Sequence, residues 1–178
     1  QNKKRPYVIL KWAETLNGFI SPISKKNKRP FWISNNYSRQ LVHKWRSQEH
    51  GILIGGQTYI NDSPILNSRL WDNNNPKKFV LTNSIDLKDS KFFKINFKGN
   101  LSAKQICDEL YKNNIQSVIV EGGTKTLTTF INDGIWDEAR IIQSSKTIVD
   151  GIKSPKIKGK INSEFELSND RIKFIDSN

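Results

Sequence analysis

The chain has 178 residues, 35% of them hydrophobic and 10% aromatic, and a formal net charge of +12. That apolar content suffices for the core of one domain of ordinary size and excludes a disordered chain, and no apolar run approaches the roughly 18 residues that cross a bilayer. The charge is compatible with nucleic acid, a membrane surface or small phosphorylated ligands, but the lysines are dispersed among Asn and Ile instead of gathered on one helix. The densest cluster, Lys25 to Arg29, reads as a solvated loop, so neither nucleic acid nor membrane is expected as a partner. No basic-then-apolar export signal opens the chain and the single Cys107 cannot form an internal disulfide, which fits a reducing cytoplasm. The start at Gln1 and the absence of methionine point to a segment of a longer chain, with a partner domain ahead of it.

In chain order, Arg5 to Trp12 is an extended apolar run too short for a helix, and Asn17-Gly18 follows as a turn. A basic loop runs to about Pro30. Ser34 is the predicted cap of a helix to about Gln48, with Tyr37, Leu41 and Trp45 at helical spacing facing the sheet and Arg46 beside that stripe. Gly51 to Ile54 is a second buried strand, whose glycine turn leads through Thr58 into an irregular stretch ending near Pro76; loops of that length are usually functional. Lys78 to Thr82 and Phe92 to Ile95 read as strands. Ser102 to Gln105 has capping-box form and opens a helix to about Asn113, on whose apolar side Cys107 lies as inert core beside Ile106 and Leu110. Ile115 to Val120 is the most apolar strand, and the helix after Gly123 ends at Asp133-Gly134. Glu138 to Gln143 is a further strand, and the alternation from Phe165 to Phe174 predicts a closing hairpin around Asn169-Asp170. Strands alternating with helices and then a hairpin define an α/β fold: a mainly parallel sheet, helices on both faces and an antiparallel edge.

Two of these strands run straight into paired glycines that open a helix, Gly51 to Thr58 and Gln116 to Thr126. Glycine permits the tight turn and a close ligand, while the first free N–H groups of the helix point at any anion placed there, so the pair reads as two phosphate seats. One such turn taken alone is ordinary in any α/β sheet. Glu121 adds weight, because a carboxylate ending an apolar strand at its C-terminal edge sits where open α/β sheets bind ligands.

Taken together, Lys11-Trp-Ala-Glu-Thr-Leu-Asn-Gly18, Trp32-Ile-Ser with Leu41 to Arg46, Gly51 to Thr58 with Asp62-Ser-Pro64, Arg69, and Val120 to Leu127 with Gly134 to Glu138 resemble, in order and spacing, the reductase domain of bifunctional riboflavin biosynthesis deaminase/reductases. The resemblance runs from about Arg5 to Lys146. It implies a three-layer fold like that of dihydrofolate reductase and NADPH-dependent reduction of the ribosylamino group of 5-amino-6-(5-phosphoribosylamino)uracil to a ribitylamino group. It also implies a deaminase domain elsewhere in the full chain, and it leans towards a homodimer.

Carried over position by position, the resemblance puts Ala13, Trp32, Thr58, Asp62 and the turn Gly122, Gly123, Thr124, Lys125, Thr126 and Leu127 on the cofactor side. Arg46, Leu66, Arg69 and Glu121 fall on the substrate side, with Lys11 and Glu121 as the catalytic candidates. Arginine's planar fork suits a sugar phosphate, and a carboxylate accepts the paired N–H donors of an aminouracil edge. Each residue has an ordinary alternative: Trp32 as core beside Phe31, Asp62 as a turn former before Ser63-Pro64, Lys11 as a solvated strand residue.

Asn17, Pro30 and Ser63 depart from the family pattern, as does the stretch Ser144 to Gly151. Zinc deamination would need cysteines this chain lacks, and His43 and His50 have no ligand spacing, so no metal site is predicted. The competing functions are another pteridine or pyrimidine reductase on the same fold, and a non-catalytic module that binds nucleotide or RNA.

Overall fold

The computed structural model describes residues 3–23 and 31–178. The cluster Lys25 to Arg29 and the departure at Pro30 lie outside the described residues. The elements are β1 (Tyr7–Glu14), β2 (Phe19–Ser21), α1 (Asn36–Gln48), β3 (Gly51–Gly55), α2 (Gly56–Asp62), β4 (Lys77–Leu81) and β5 (Phe92–Ile95). They continue with α3 (Ala103–Lys112), β6 (Ser117–Val120), α4 (Thr124–Asn132), β7 (Glu138–Ser144), β8 (Ile152–Lys153), β9 (Lys160–Leu167) and β10 (Asp170–Asp176). Eight strands form one sheet in the order β5-β4-β3-β6-β1-β7-β10-β9. Every pair from β5 to β7 is parallel, and β10 runs antiparallel to both β7 and β9. This is the predicted architecture.

Strand alternation divides the core between two layers. Val8, Leu10, Leu53, Val118 and Val120 face α3 and α4, meeting Ile106, Leu110, Leu127 and Phe130. Ile9, Ile52, Ile54 and Ile119 face α1, meeting Val42 and Trp45. Since successive side chains of a strand point to opposite faces, Lys11 follows Ile9 onto the α1 face, and Glu121 follows Ile119 there. Cys107 is 1% exposed, and burial pushes its thiol up to about 12, in keeping with an inert core residue.

Three local expectations need correction. Asn35, not Ser34, caps α1: its Oδ1 accepts from the Ser38 N–H at 2.9 Å, and its amide also donates to the Leu167 carbonyl at 2.8 Å, a reach that serine lacks. Tyr37 is 63% exposed. The stripe facing the sheet is instead Ser38, Val42 and Trp45, with Leu41 partly buried, because a small residue is what the close approach at the start of α1 accepts. The hairpin turns one residue earlier than predicted, at Ser168-Asn169, with Leu167 paired to Asp170 and Ser168 at φ 58°. Asp170 is drawn into the fold because its Oδ2 accepts from the backbone N–H of Asn35 at 2.8 Å.

The departing stretch after Ser144 leaves the sheet and wraps the turn that follows β1. Leu16 N–H donates to the Lys146 carbonyl at 2.8 Å, and β8 pairs antiparallel with β2. Asn17 is the clip: its Nδ2 donates to the Ile148 carbonyl at 2.7 Å, and its Oδ1 accepts from Thr15 at 2.8 Å and from the Ile148 N–H at 3.4 Å. An aspartate could not make the first of these bonds.

At the opposite end of these strands, Asp137 ties the start of β7 to β1. It accepts both arms of the Arg5 fork at 2.5 and 2.9 Å, the Lys3 ammonium at 2.9 Å and the Val8 N–H at 2.9 Å. Beside it, Arg140 joins Glu138 and Glu49 in a half-hidden network stacked against the ring of Trp45. The Trp-Asp-Glu stretch of the sequence is therefore a structural anchor.

Candidate active site

β6 lies between β1 and β3, and its pairing reaches one residue further, with the Glu121 N–H donating to the Leu53 carbonyl at 2.9 Å. Val120 pairs with Leu10 on one side and Leu53 on the other, so Lys11 and Ile54 flank Glu121 on the α1 face. Arg46, on the sheet-facing side of α1 near its C-terminal end, reaches the same point. Its guanidinium forms a fork on the carboxylate, Nε to Oε1 at 2.8 Å and Nη2 to Oε2 at 2.7 Å. Lys11 Nζ stands 3.4 Å from Oε2. The three side chains are 8–13% exposed.

Charge in so enclosed a place is governed by neighbours. Burial would push the Glu121 carboxyl up, but Arg46 and Lys11 outweigh it and hold it well below the usual carboxylate range. Burial works against Arg46 too, and the field and hydrogen bonds of Glu121 reverse that, raising its pKa. Lys11 goes the other way. Burial lowers its pKa, and Arg46 adds to the effect while Glu121 opposes it.

Around this triad stands the loop after α2. Leu66 is 4% exposed and left-handed, with φ 50°. The carbonyl of Asn67 accepts from Arg46 Nη1 at 3.2 Å, and its side chain accepts from Arg69 Nη1 at 2.6 Å. Arg69 itself is exposed. His43, one turn before Arg46 on α1, is buried; burial first, then the charges of Arg46 and Arg69, push its pKa down to about 4, so the ring is neutral. Residue-type reasoning missed both Asn67 and His43: an asparagine in a loop carries no signal, and histidine was weighed only as a metal ligand.

The two glycine turns meet. A Cβ on Gly122 would lie 2.9 Å from Thr126 Cβ and 3.1 Å from the Gly55 backbone nitrogen, and one on Gly55 would lie 2.7 Å from Thr126 Oγ1. Gly123 N–H donates to Thr58 Oγ1 at 3.2 Å. The expected two seats are thus one cradle across the ends of β3 and β6, opening on the first turn of α4. There the N–H groups of Thr124, Lys125 and Thr126 precede the first intrahelical bond, which Leu127 N–H makes to the Gly123 carbonyl at 3.2 Å. The Leu127 side chain is completely buried in the core, so only its backbone faces this turn. Thr124 Oγ1 donates to the Lys153 carbonyl at 3.3 Å, tying the cradle to the wrapped stretch.

The remaining predicted cofactor residues are spread around this edge. Ala13 is partly buried two residues beyond Lys11 on the same face of β1. Asp62 ends α2, just before Ser63 at φ 41°. Trp32 is 51% exposed, with the Arg39 guanidinium 4.6 Å over its ring and its carbonyl accepting from Lys146 Nζ at 2.9 Å. It is no core residue, and it stands near the start of α1, away from the ion pair near that helix's end.

Residues 6–164 match the family described as the RibD C-terminal domain. The chain belongs to that family. Among proteins similar to this RibD C-terminal domain, the riboflavin biosynthesis protein RibD of Aquifex aeolicus is 26% identical over 178 residues, covering 84% of this chain and 49% of its own length. The chain thus spans about half the length of that relative. Among solved structures, RibD of Acinetobacter baumannii superposes with a TM-score of 0.83 at 20% identity, over 99% of this chain and 59% of that one. A Thermotoga maritima deaminase/5-amino-6-(5-phosphoribosylamino)uracil reductase gives 0.81 at 24% identity, over 99% and 58%. At these identities the superpositions show a shared fold.

Proposed function

We propose that this RibD C-terminal domain reduces 5-amino-6-(5-phosphoribosylamino)uracil to its ribitylamino product with NADPH, and that the full chain carries a deaminase domain. The observation that carries the reading is the Lys11–Glu121–Arg46 triad, set at the end of β6 immediately before the glycine cradle of α4. A reducing nucleotide fits that cradle by its donor set: backbone N–H groups at a helix start, threonine hydroxyls from two turns, and glycines where a side chain would fill the space. When bound, NADPH supplies the hydride.

The chain's own residues then orient the substrate and manage its proton. The Arg46 fork takes one lone-pair direction of each Glu121 oxygen and fixes the carboxylate plane, leaving its remaining acceptor capacity for substrate N–H or O–H groups. Arg69, solvent-facing beyond Asn67, is suited to the phosphate. Lys11, whose pKa burial lowers, donates the proton that the ribose ring oxygen takes as the ring opens to an imine-like carbon. That carbon is the hydride acceptor, so one hydride and one proton complete the reduction.

NADPH oxidation, followed at the nicotinamide absorbance with freshly generated aminouracil substrate and with dihydrofolate as control, tests this. Turnover of the aminouracil alone is expected. Turnover of dihydrofolate, or of neither with NADPH still bound, would overturn it in favour of another reductase or a non-catalytic module.

A further inference from the structure

The first turn of α4 has no side-chain cap. Gly123, at the N-cap position, leaves the free N–H groups open to an anion, so the turn must be held from outside. Among the described residues two bonds tie it to other elements. Gly123 N–H donates to Thr58 Oγ1 of α2 at 3.2 Å, and Thr124 Oγ1 donates to the Lys153 carbonyl of β8 at 3.3 Å. The second partner belongs to residues 145–154, which carry none of the predicted site residues. These residues cross the turn between β1 and β2 and are bonded to it along their length. Leu16 N–H donates to the Lys146 carbonyl at 2.8 Å, Asn17 Nδ2 to the Ile148 carbonyl at 2.7 Å, and Ser154 N–H to the Gly18 carbonyl at 2.9 Å. Where β8 pairs with β2 the approach is so close that a Cβ on Gly151 would lie 2.5 Å from the Ser21 carbonyl oxygen. The turn is itself fixed to the fold: the fully buried Thr15 accepts from the Phe19 N–H at 3.0 Å and donates to Asn17 Oδ1 at 2.8 Å, and Ile20 packs against the core. Near the other end, Lys146 Nζ donates to the Trp32 carbonyl at 2.9 Å. The stretch thus reaches two of the predicted cofactor residues, Trp32 and Thr124, and Asn17 holds its middle.

We propose that residues 145–154 are a strap that sets the cofactor's seat, and that Asn17 is the positioning residue that locks it. One amide there both donates to the Ile148 carbonyl and accepts from the N–H of the same residue, at 2.7 and 3.4 Å. A carboxylate has no proton for the first bond and would set its charge against that carbonyl. With the clip open, Lys153 loses its fixed place and the first turn of α4 keeps only the Thr58 tether, so the N–H groups that face the nucleotide lose their alignment. The substrate side is spared, because Lys11, Glu121 and Arg46 hold one another on the α1 face of the sheet while α4 packs on the other. The role deepens the function proposed above and rests on that reading for its cofactor.

The test is a double-mutant cycle on NADPH affinity between two residues at opposite ends of this path. Asn17→Asp opens the clip, and Thr124→Val removes the hydroxyl that grips Lys153 while keeping its shape. Each should raise the NADPH Kd about fivefold, the fold-change that loss of one hydrogen bond gives. Because both act through the strap, the double variant should also stay near fivefold, whereas independent effects would multiply to about twenty-five-fold. The aminouracil KM should change by less than about twofold in Asn17→Asp. Hydrogen exchange on the ligand-free protein supplies the independent reading: the amides of Leu16, Ile148 and Ser154, bonded between strap and turn, should exchange faster in Asn17→Asp. An unchanged NADPH Kd in Asn17→Asp, whether or not those amides are freed, would overturn the proposal, as would fold-changes that multiply in the double variant or an equal rise in the aminouracil KM. A parent that binds NADPH and reduces no aminouracil, with the cycle still non-additive, would refute the proposed function and leave the strap standing.

Discussion

Replacing Glu121 with Gln removes one negative charge from between two cations and keeps the side chain's shape. With Lys11, Arg46 and Glu121 only 12%, 13% and 8% exposed, solvent screens the change weakly. An amide oxygen still accepts one branch of the Arg46 fork, but the second branch meets an NH2 group, and Arg46 and Lys11 are left as like charges in poor solvation. Removing one partner of a buried pair costs about 3–5 kcal/mol, and the retained hydrogen bond places this case near the lower end, about 3 kcal/mol. With a urea m-value of about 2 kcal/mol/M, the unfolding midpoint should fall by ~1.5 M. The pH dependence has a definite sign. The folded-state pKa of Glu121 is depressed, from 4.5 to about 2, so its contribution is complete above the unfolded value and is lost as pH falls through that window. Urea titrations of parent and Glu121→Gln should therefore show a constant gap from about pH 6 to about pH 8, narrowing below about pH 4.5. Turnover should drop while NADPH affinity stays nearly intact. Equal midpoints at neutral pH, or a gap that persists unchanged in acid, would refute the account of this pair.

Arg46→Lys keeps the charge but loses the fork and the Asn67 contact, so substrate KM should rise about tenfold or more while the NADPH Kd moves little, in steady-state kinetics paired with cofactor titration. Gly122→Ala would drive a methyl to 2.9 Å from Thr126 and 3.1 Å from the Gly55 backbone. The two turns must then part, with a stability loss of about 1–3 kcal/mol and NADPH affinity falling more than substrate KM rises. Asp137→Ala leaves Arg5 without its partner far from the triad; about 3 kcal/mol should be lost, lowering Tm by roughly 6–12 °C in a thermal melt without shifting KM. Asn17→Asp removes the 2.7 Å bond to the Ile148 carbonyl and should cost about 1 kcal/mol at this exposed turn, with no gain in kcat. A gain would show that the position serves as an acid.

Periodicity made the architecture legible, because the apolar runs of the central strands and the glycine that follows α4, Gly134, are local signals of local geometry. The start of α1 was misread for the opposite reason. Asn35 and Ser34 are both good caps, and what selects Asn35 is the hairpin carbonyl of Leu167, which lies far along the chain. The residues gathered at the candidate site were named from their resemblance to a family pattern. That Arg46 grips Glu121 itself, instead of standing open for a phosphate, is a tertiary fact that no spacing encodes. Asn67 and His43 were invisible for the same reason, since a loop carbonyl and a neutral ring acquire their meaning only from what they touch.

Glu121 and Gly122, the first glycine of the cradle, are consecutive residues just past the end of β6. In the function proposed above, the substrate-side carboxylate and the first glycine of the cofactor cradle are joined by a single peptide link, so the offset between these two groups is set by bond lengths and a planar amide. A reductase on this plan has no need of a hinge to bring donor and acceptor into line. Its tolerance to insertions should accordingly vanish at one point, between Val120 and Thr124, where even one added residue would separate the two seats.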